Sequence, residues 1–125
     1  MIQNQKASIT KVFSQADFDS FALLSGDDNP IHTDPVFSAN TRFGRTVAHG
    51  LLLCSVLRGL IDQQIPGGRL SETSLMFPAP TFTDEPMQFT IALIKSKNNE
   101  IELDLQVKRL ADDVITCQGN ARVMT

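Results

Sequence analysis

The run Gly50-Leu-Leu-Leu-Cys-Ser-Val-Leu-Arg-Gly-Leu-Ile-Asp-Gln-Gln64 restricts the fold more than any other part of this chain. It is apolar nearly all round and stops at Ile65-Pro66-Gly67-Gly68, a strong helix-ending signal. Ser55, Arg58 and Asp62 interrupt it, which suits a buried helix and not a membrane span. Such a helix has to be enclosed, and the chain that follows can enclose it. From Arg69 onward the apolar period changes to two and no helix-length pattern returns. Leu70 to Phe77 reads as one strand, ended by Pro78-Ala79-Pro80. Met87, Phe89, Ile91 and Leu93 alternate with polar or small residues, as do Ile101, Leu103, Leu105 and Val107. Asn98-Asn99 between these two runs is a hairpin turn, because asparagine tolerates positive φ. Asp112-Asp113 turns into a last strand over Val114 to Val123, with Gly119 at a bend or bulge. The expected fold class is α+β, an antiparallel sheet wrapped around one central buried helix, with an edge strand left open for a second copy.

A chain of 125 residues can bury a single core, so residues 1–125 are expected to form one domain. The net charge of -3 argues against nucleic acid as a partner, and an anionic small molecule would need a local basic patch. Met1 to Lys6 lacks the apolar core of a secretory signal, which points to the cytoplasm. Cys54 and Cys117 belong to no metal-ligand spacing and read as small buried hydrophobes; no glycine-rich phosphate loop occurs, so neither a metal nor a redox cofactor is expected.

Ahead of the helix, Ser8 to Phe13 has the β-branched content of a short strand. Ser14 with Asp17 forms a capping box and Phe13 with Phe18 a hydrophobic staple, predicting a helix over Gln15 to Leu24 with Phe18, Phe21, Ala22 and Leu24 on its core face. Gly26 ends it and delivers the chain into Asp27-Asp28-Asn29-Pro30-Ile31-His32, a segment unsuited to regular structure. Asn29-Pro30 sets the spacing between the Asp27 carboxylate and the His32 imidazole rigidly, so that two proton-handling groups can share one water. Either residue alone would more often be structural; the pair within this frame reads as catalytic. Asp28 is expected to face solvent. Asp34-Pro35 starts a short helix reaching Arg42 or Phe43, and Arg45 to His49 connects it to the long apolar run.

Phe21-x-x-Leu24-Ser25-Gly26-Asp27-x-Asn29-Pro30-Ile31-His32, followed by Ala39 and later by Val47-Ala48-His49-Gly50-Leu51-Leu52, resembles the signature of the MaoC-like, or hydratase 2, family of R-specific enoyl-CoA hydratases and 3-hydroxyacyl-thioester dehydratases. The resemblance spans nearly the whole chain. It implies a hot-dog fold, a homodimer or dimer of dimers, and a substrate that is an acyl-CoA or acyl-carrier-protein thioester. Hydrating a 2-enoyl thioester needs a base for water, an acid for the α-carbon and a donor for the thioester oxygen. Asp27 and His32 supply the first two in an order left open. The backbone N–H of Gly50, free at a helix N-terminus, is the candidate donor. Asn29 supports the loop or the water. Arg42, Arg45 and Lys95 are cations that could meet carrier phosphates, none distinguished from the others. Other outcomes for this fold are a thioesterase and a non-catalytic acyl-thioester binding module, the latter expected to have lost Asp27 or His32.

Overall fold

The computed structural model describes residues 5–125. Five antiparallel strands form one sheet in the order β1-β3-β4-β5-β2, where β1 is Lys6–Lys11, β2 Arg69–Met76, β3 Met87–Lys97, β4 Glu100–Arg109 and β5 Ile115–Met124. Helices α1 (Gln15–Ser25), α2 (Pro30–Thr33), α3 (Pro35–Ala39) and α4 (Gly50–Gln64) all fall between β1 and β2. This is the hot-dog arrangement, with α4 lying against the sheet.

Alternation along the strands builds the core. Met87, Phe89 and Ile91 on β3, Ile101, Leu103, Leu105 and Val107 on β4, and Cys117, Ala121 and Val123 on β5 are all buried, and they meet Leu53, Leu57, Leu60 and Ile61 from α4. The enclosure of α4 is one-sided within the chain. Ser55, Arg58 and Asp62 lie on the open face, where Arg58 pairs with Asp62 at 3.1 Å, and Leu51 is 68% exposed. The sheet of one chain covers one face of the helix, and the opposite face is exposed.

Local rules govern the element ends. Ser14 caps α1 in a complete capping box, and Phe13 and Phe18 close the staple with ring centroids 6.2 Å apart. Gly26 ends α1 at φ 79°, while Leu24 points outward at 83% exposure, against the expected core face; only Phe18 and Ala22 of this helix are buried. Asn98 and Asn99 take φ 54° and 63° at the hairpin turn. β1 lies two residues earlier than its composition suggested, and α3 ends at Ala39 because Asn40 caps it. Gly119 is not at a bulge: its register with Leu75 and Leu105 is unbroken, and the shifts fall at Leu70/Glu72, Leu93/Lys95 and Val107/Lys108. The glycine is needed because the Ser74–Leu75 backbone of β2 lies where a Cβ would be.

Candidate active site

The segment after Gly26 is more regular than its composition implies. Asn29, in extended geometry before Pro30, accepts a hydrogen bond from the Ile31 N–H at 3.0 Å and caps α2, whose first residue is Pro30. A proline at the first turn of a helix costs no hydrogen bond, so the sequence that excludes a long helix permits this single turn. It presents His32 towards the start of α4. Gln15 clamps it from behind: its Nε2 donates to the His32 carbonyl at 2.9 Å, and its Oε1 accepts from the Thr46 hydroxyl at 2.7 Å.

His32 and Asp27 do come together, with Nε2 and Oδ2 3.7 Å apart. The other ring nitrogen of His32 lies 2.8 Å from the Val47 carbonyl. A carbonyl only accepts, so Nδ1 carries the proton and the neutral ring keeps its Nε2 lone pair for the cavity. The same logic applies to His49, whose Nε2 donates to the Asp27 carbonyl at 2.8 Å. His49 is buried, stacks on His32 with ring centroids 3.8 Å apart, and meets the edge of Phe21 at 5.0 Å. The connector histidine therefore holds both members of the pair, Asp27 through its backbone and His32 through its ring. The signal for it was its place directly before Gly50.

Asp27, His32, His49 and Gly50 line one cavity of about 460 Å³, closed by Phe21, Leu51 and Cys54 on one side and by Thr73, Leu75 and Phe77 on the other. Most of its wall is apolar, with the polar groups gathered at α2 and the start of α4, the usual build of a small-molecule site. The Gly50 N–H has no acceptor among the described residues and stands at the first position of α4. Asn29 does not line the cavity; its side chain is engaged in the α2 cap. Asp28 is exposed. Of the cysteines, Cys54 is half-buried on the cavity wall and Cys117 is buried in the sheet, where burial, with Cys54 adding to it, pushes its thiol up to about 11.

Asp27, His32 and His49 place one ligand atom each within 4.8 Å of one another. The arrangement does not fit a metal ion. The histidine rings are stacked 23° from parallel, so their in-plane lone pairs do not converge on a point about 2 Å from both nitrogens. Two acceptors 3.7 Å apart suit a molecule with two hydrogens to donate.

A family model described as a MaoC like domain matches residues 2–115, and the chain belongs to that family. Over 123 residues it is 36% identical to an (R)-specific enoyl-CoA hydratase of Aeromonas caviae, a match covering 97% of this chain and 81% of that protein. It is 35% identical over 95 residues to the mitochondrial 3-hydroxyacyl-[acyl-carrier-protein] dehydratase of Arabidopsis thaliana, covering 74% of this chain and 57% of that one. Among solved structures, unliganded R-hydratase PhaJ1 from Pseudomonas aeruginosa aligns with a TM-score of 0.91 at 27% identity, covering 97% of this chain and 79% of that one. The (R)-hydratase from A. caviae aligns at 0.89 with 33% identity, covering 96% and 93%.

Proposed function

We propose that this protein is a hydro-lyase that adds water to 2-enoyl thioesters to give R-3-hydroxyacyl thioesters, and runs the reverse dehydration. The observation that carries the reading is the pair of proton acceptors, the Asp27 carboxylate and the free Nε2 of His32, held 3.7 Å apart at the mouth of an apolar cavity. The family relatives named as R-specific hydratases and 3-hydroxyacyl dehydratases support the same chemistry.

A water held by both acceptors donates one hydrogen to each and turns its lone pair towards the substrate. His32 is the base. Its Nδ1 is tied to the Val47 carbonyl, which leaves the Nε2 lone pair to take a proton from the water, with the Asp27 carboxylate 3.7 Å away. The water oxygen bonds to the β-carbon, the π electrons move to the α-carbon and thioester, and the Gly50 N–H donates to the oxygen that gains negative charge. The imidazolium then returns its proton to the α-carbon on the face the water came from. Atoms balance as one added water, and the addition is syn. Asn29 serves by capping α2. The assembly is a homodimer in the cytoplasm in this reading, with residues 1–125 as one domain; the open edge of β2 and the exposed Leu51 support the second copy.

The test is loss of the enoyl-thioester absorbance of crotonyl-CoA on adding purified protein, with the product's chirality determined. Rapid loss with R-3-hydroxybutyryl-CoA formed is expected; release of free CoA instead would make the protein a thioesterase. Carrying out the reaction in deuterated water should place deuterium syn to the new hydroxyl, and anti placement would exclude a single shared face.

Gly50 offers a second check. The ring of Phe77 lies against its α-carbon, so a Cβ there would sit 2.9 Å from the ring edge. Gly50→Ala keeps the N–H but displaces Phe77 or the helix start, and kcat/KM should fall by about tenfold or more through misplacement of the donor. Adding Phe77→Ala should recover part of the loss; no recovery would mean that the methyl acts on the substrate directly.

A further inference from the structure

Gly50 and Phe77 border two cavities. The first holds Asp27 and His32; the second, about 350 Å³, is lined besides by Phe43, Ala79, Thr81 and Arg42. A thioester whose carbonyl oxygen meets the Gly50 N–H has two arms to place, the acyl chain bearing the reacting double bond and the carrier arm attached through sulfur. The acyl arm must lie with Asp27 and His32. The second cavity borders the same glycine and so lies within reach of the carrier arm.

Resting on the hydratase reading above, we propose that this second cleft takes the phosphopantetheine arm shared by CoA and acyl carrier protein, with Arg42 as the phosphate contact and Phe77 as the wall over which the thioester bends. Arg42 is the one cation that lines this cleft; Arg69, Lys6 and Lys11, which also make no ion pair among the described residues, lie elsewhere. Arg45 is engaged, its guanidinium donating to the Thr83 carbonyl at 2.6 Å and lying 3.6 Å from Glu85. Arg58, Lys108, Arg109 and Arg122 are each paired with carboxylates. Lys95 and Lys97 stand opposite Glu102 and Glu100 across the β3–β4 ladder, which neutralises that end of the sheet. Arg42 makes no ion pair or side-chain hydrogen bond among the described residues; its guanidinium rests over the Phe43 ring, 4.8 Å from the centroid. Stacking there holds the planar fork in place with its donors unused, the state in which an arginine meets a phosphate. The cleft between is mostly apolar, which suits the dimethyl-bearing stretch of a pantetheine arm. On a chain of net charge -3, an unpaired arginine lining a cleft that also borders the oxyanion donor is the local basic element an anionic carrier needs.

The experiment compares wild type, Arg42→Glu, Arg42→Lys and Lys95→Ala on four crotonyl thioesters: pantetheine, phosphopantetheine, CoA and acyl carrier protein. Arg42→Glu is expected to raise KM for the three phosphorylated carriers by about tenfold with kcat nearly unchanged, and to leave crotonyl-pantetheine unaffected. Arg42→Lys should recover most of the loss, and Lys95→Ala should behave as wild type. A KM rise confined to crotonyl-CoA would overturn the shared-arm proposal, because it would place Arg42 on the nucleotide phosphates. An equal rise for pantetheine would overturn it too, as would no change for any carrier while the wild type hydrates all four. A wild type inactive on every thioester would instead sink the hydratase reading itself.

Discussion

His32→Ala and Asp27→Asn should each lower kcat for crotonyl-CoA hydration by about a thousandfold, within the usual range for loss of a positioned acid or base. The expectation follows from geometry. With either acceptor gone, the water loses one of two directional holds, and in His32→Ala no strong base remains. Asp27→Asn keeps the shape of the side chain but removes the negative charge facing the imidazolium at 3.7 Å. The double variant should be little worse than the worse single one, since both residues act on one water. Both variants should fold. The Asp27 side chain is exposed, the main-chain bond from the Val47 N–H to the Ile31 carbonyl at 3.0 Å survives loss of the imidazole, and Gln15 still holds the residue 32 carbonyl. Circular dichroism melting beside the absorbance assay checks this. Activity within tenfold of wild type in a folded His32→Ala protein would remove His32 from the mechanism.

The largest stability effect is expected at Gly119. A Cβ on this residue would overlap the Ser74 carbonyl oxygen and lie 2.8–2.9 Å from the Ser74 carbonyl carbon and the Leu75 α-carbon. These are backbone atoms, which do not swing aside. Gly119→Val must therefore push β2 away from β5, breaking the ladder that pairs Leu70–Met76 with Gln118–Val123. The cost should be at least ~3 kcal/mol, at the upper end for overpacking, with the melting temperature lowered by roughly 10 °C or more. Activity should fall with it, because Thr73 and Leu75 of β2 form one wall of the cavity. Gly59 provides the contrast. It lies within α4 with nothing within 4 Å of its Cβ direction, so Gly59→Ala should stabilise by up to ~1 kcal/mol through higher helix propensity. A Gly119→Val protein that melts like wild type would mean that β2 sits further from β5 than described.

Much of the site was legible because its determinants are local. The spacing of Asp27 and His32, the stiffening by Asn29-Pro30 and the helix start at Gly50 depend on neighbours within a few residues, and local backbone rules act at that range. The same holds for the Ser14 cap, the Gly26 termination and the Asn98-Asn99 turn. Residues whose work depends on distant partners were not legible in the same way. Gln15 reads as an ordinary helix residue until its amide is found between His32 and Thr46. His49 reads as the end of a connector, and only the fold sets its ring on His32 and its Nε2 on the Asp27 carbonyl. Leu24, by contrast, fits the apolar spacing of α1 and still faces outward, since the packed fold buries only Phe18 and Ala22 of that helix.

The sequence alone determined the α+β class, the two-residue period of the sheet and the pairing of Asp27 with His32, since each is written in periodicity or in short-range steric constraint; it predicted α4 enclosed all round, whereas one chain buries only one face of it. Only the tertiary structure decided which tautomer His32 holds, why residue 119 must be glycine, how Gly50 and Phe77 come to border two cavities and that Arg42, which lines one of them, makes no ion pair among the described residues. Each of these turns on the approach of groups far apart in the chain, to Val47, Ser74, the end of β2 and the carboxylates of other strands, and distances of a few ångströms between such groups exist only once the sheet has closed over the helix.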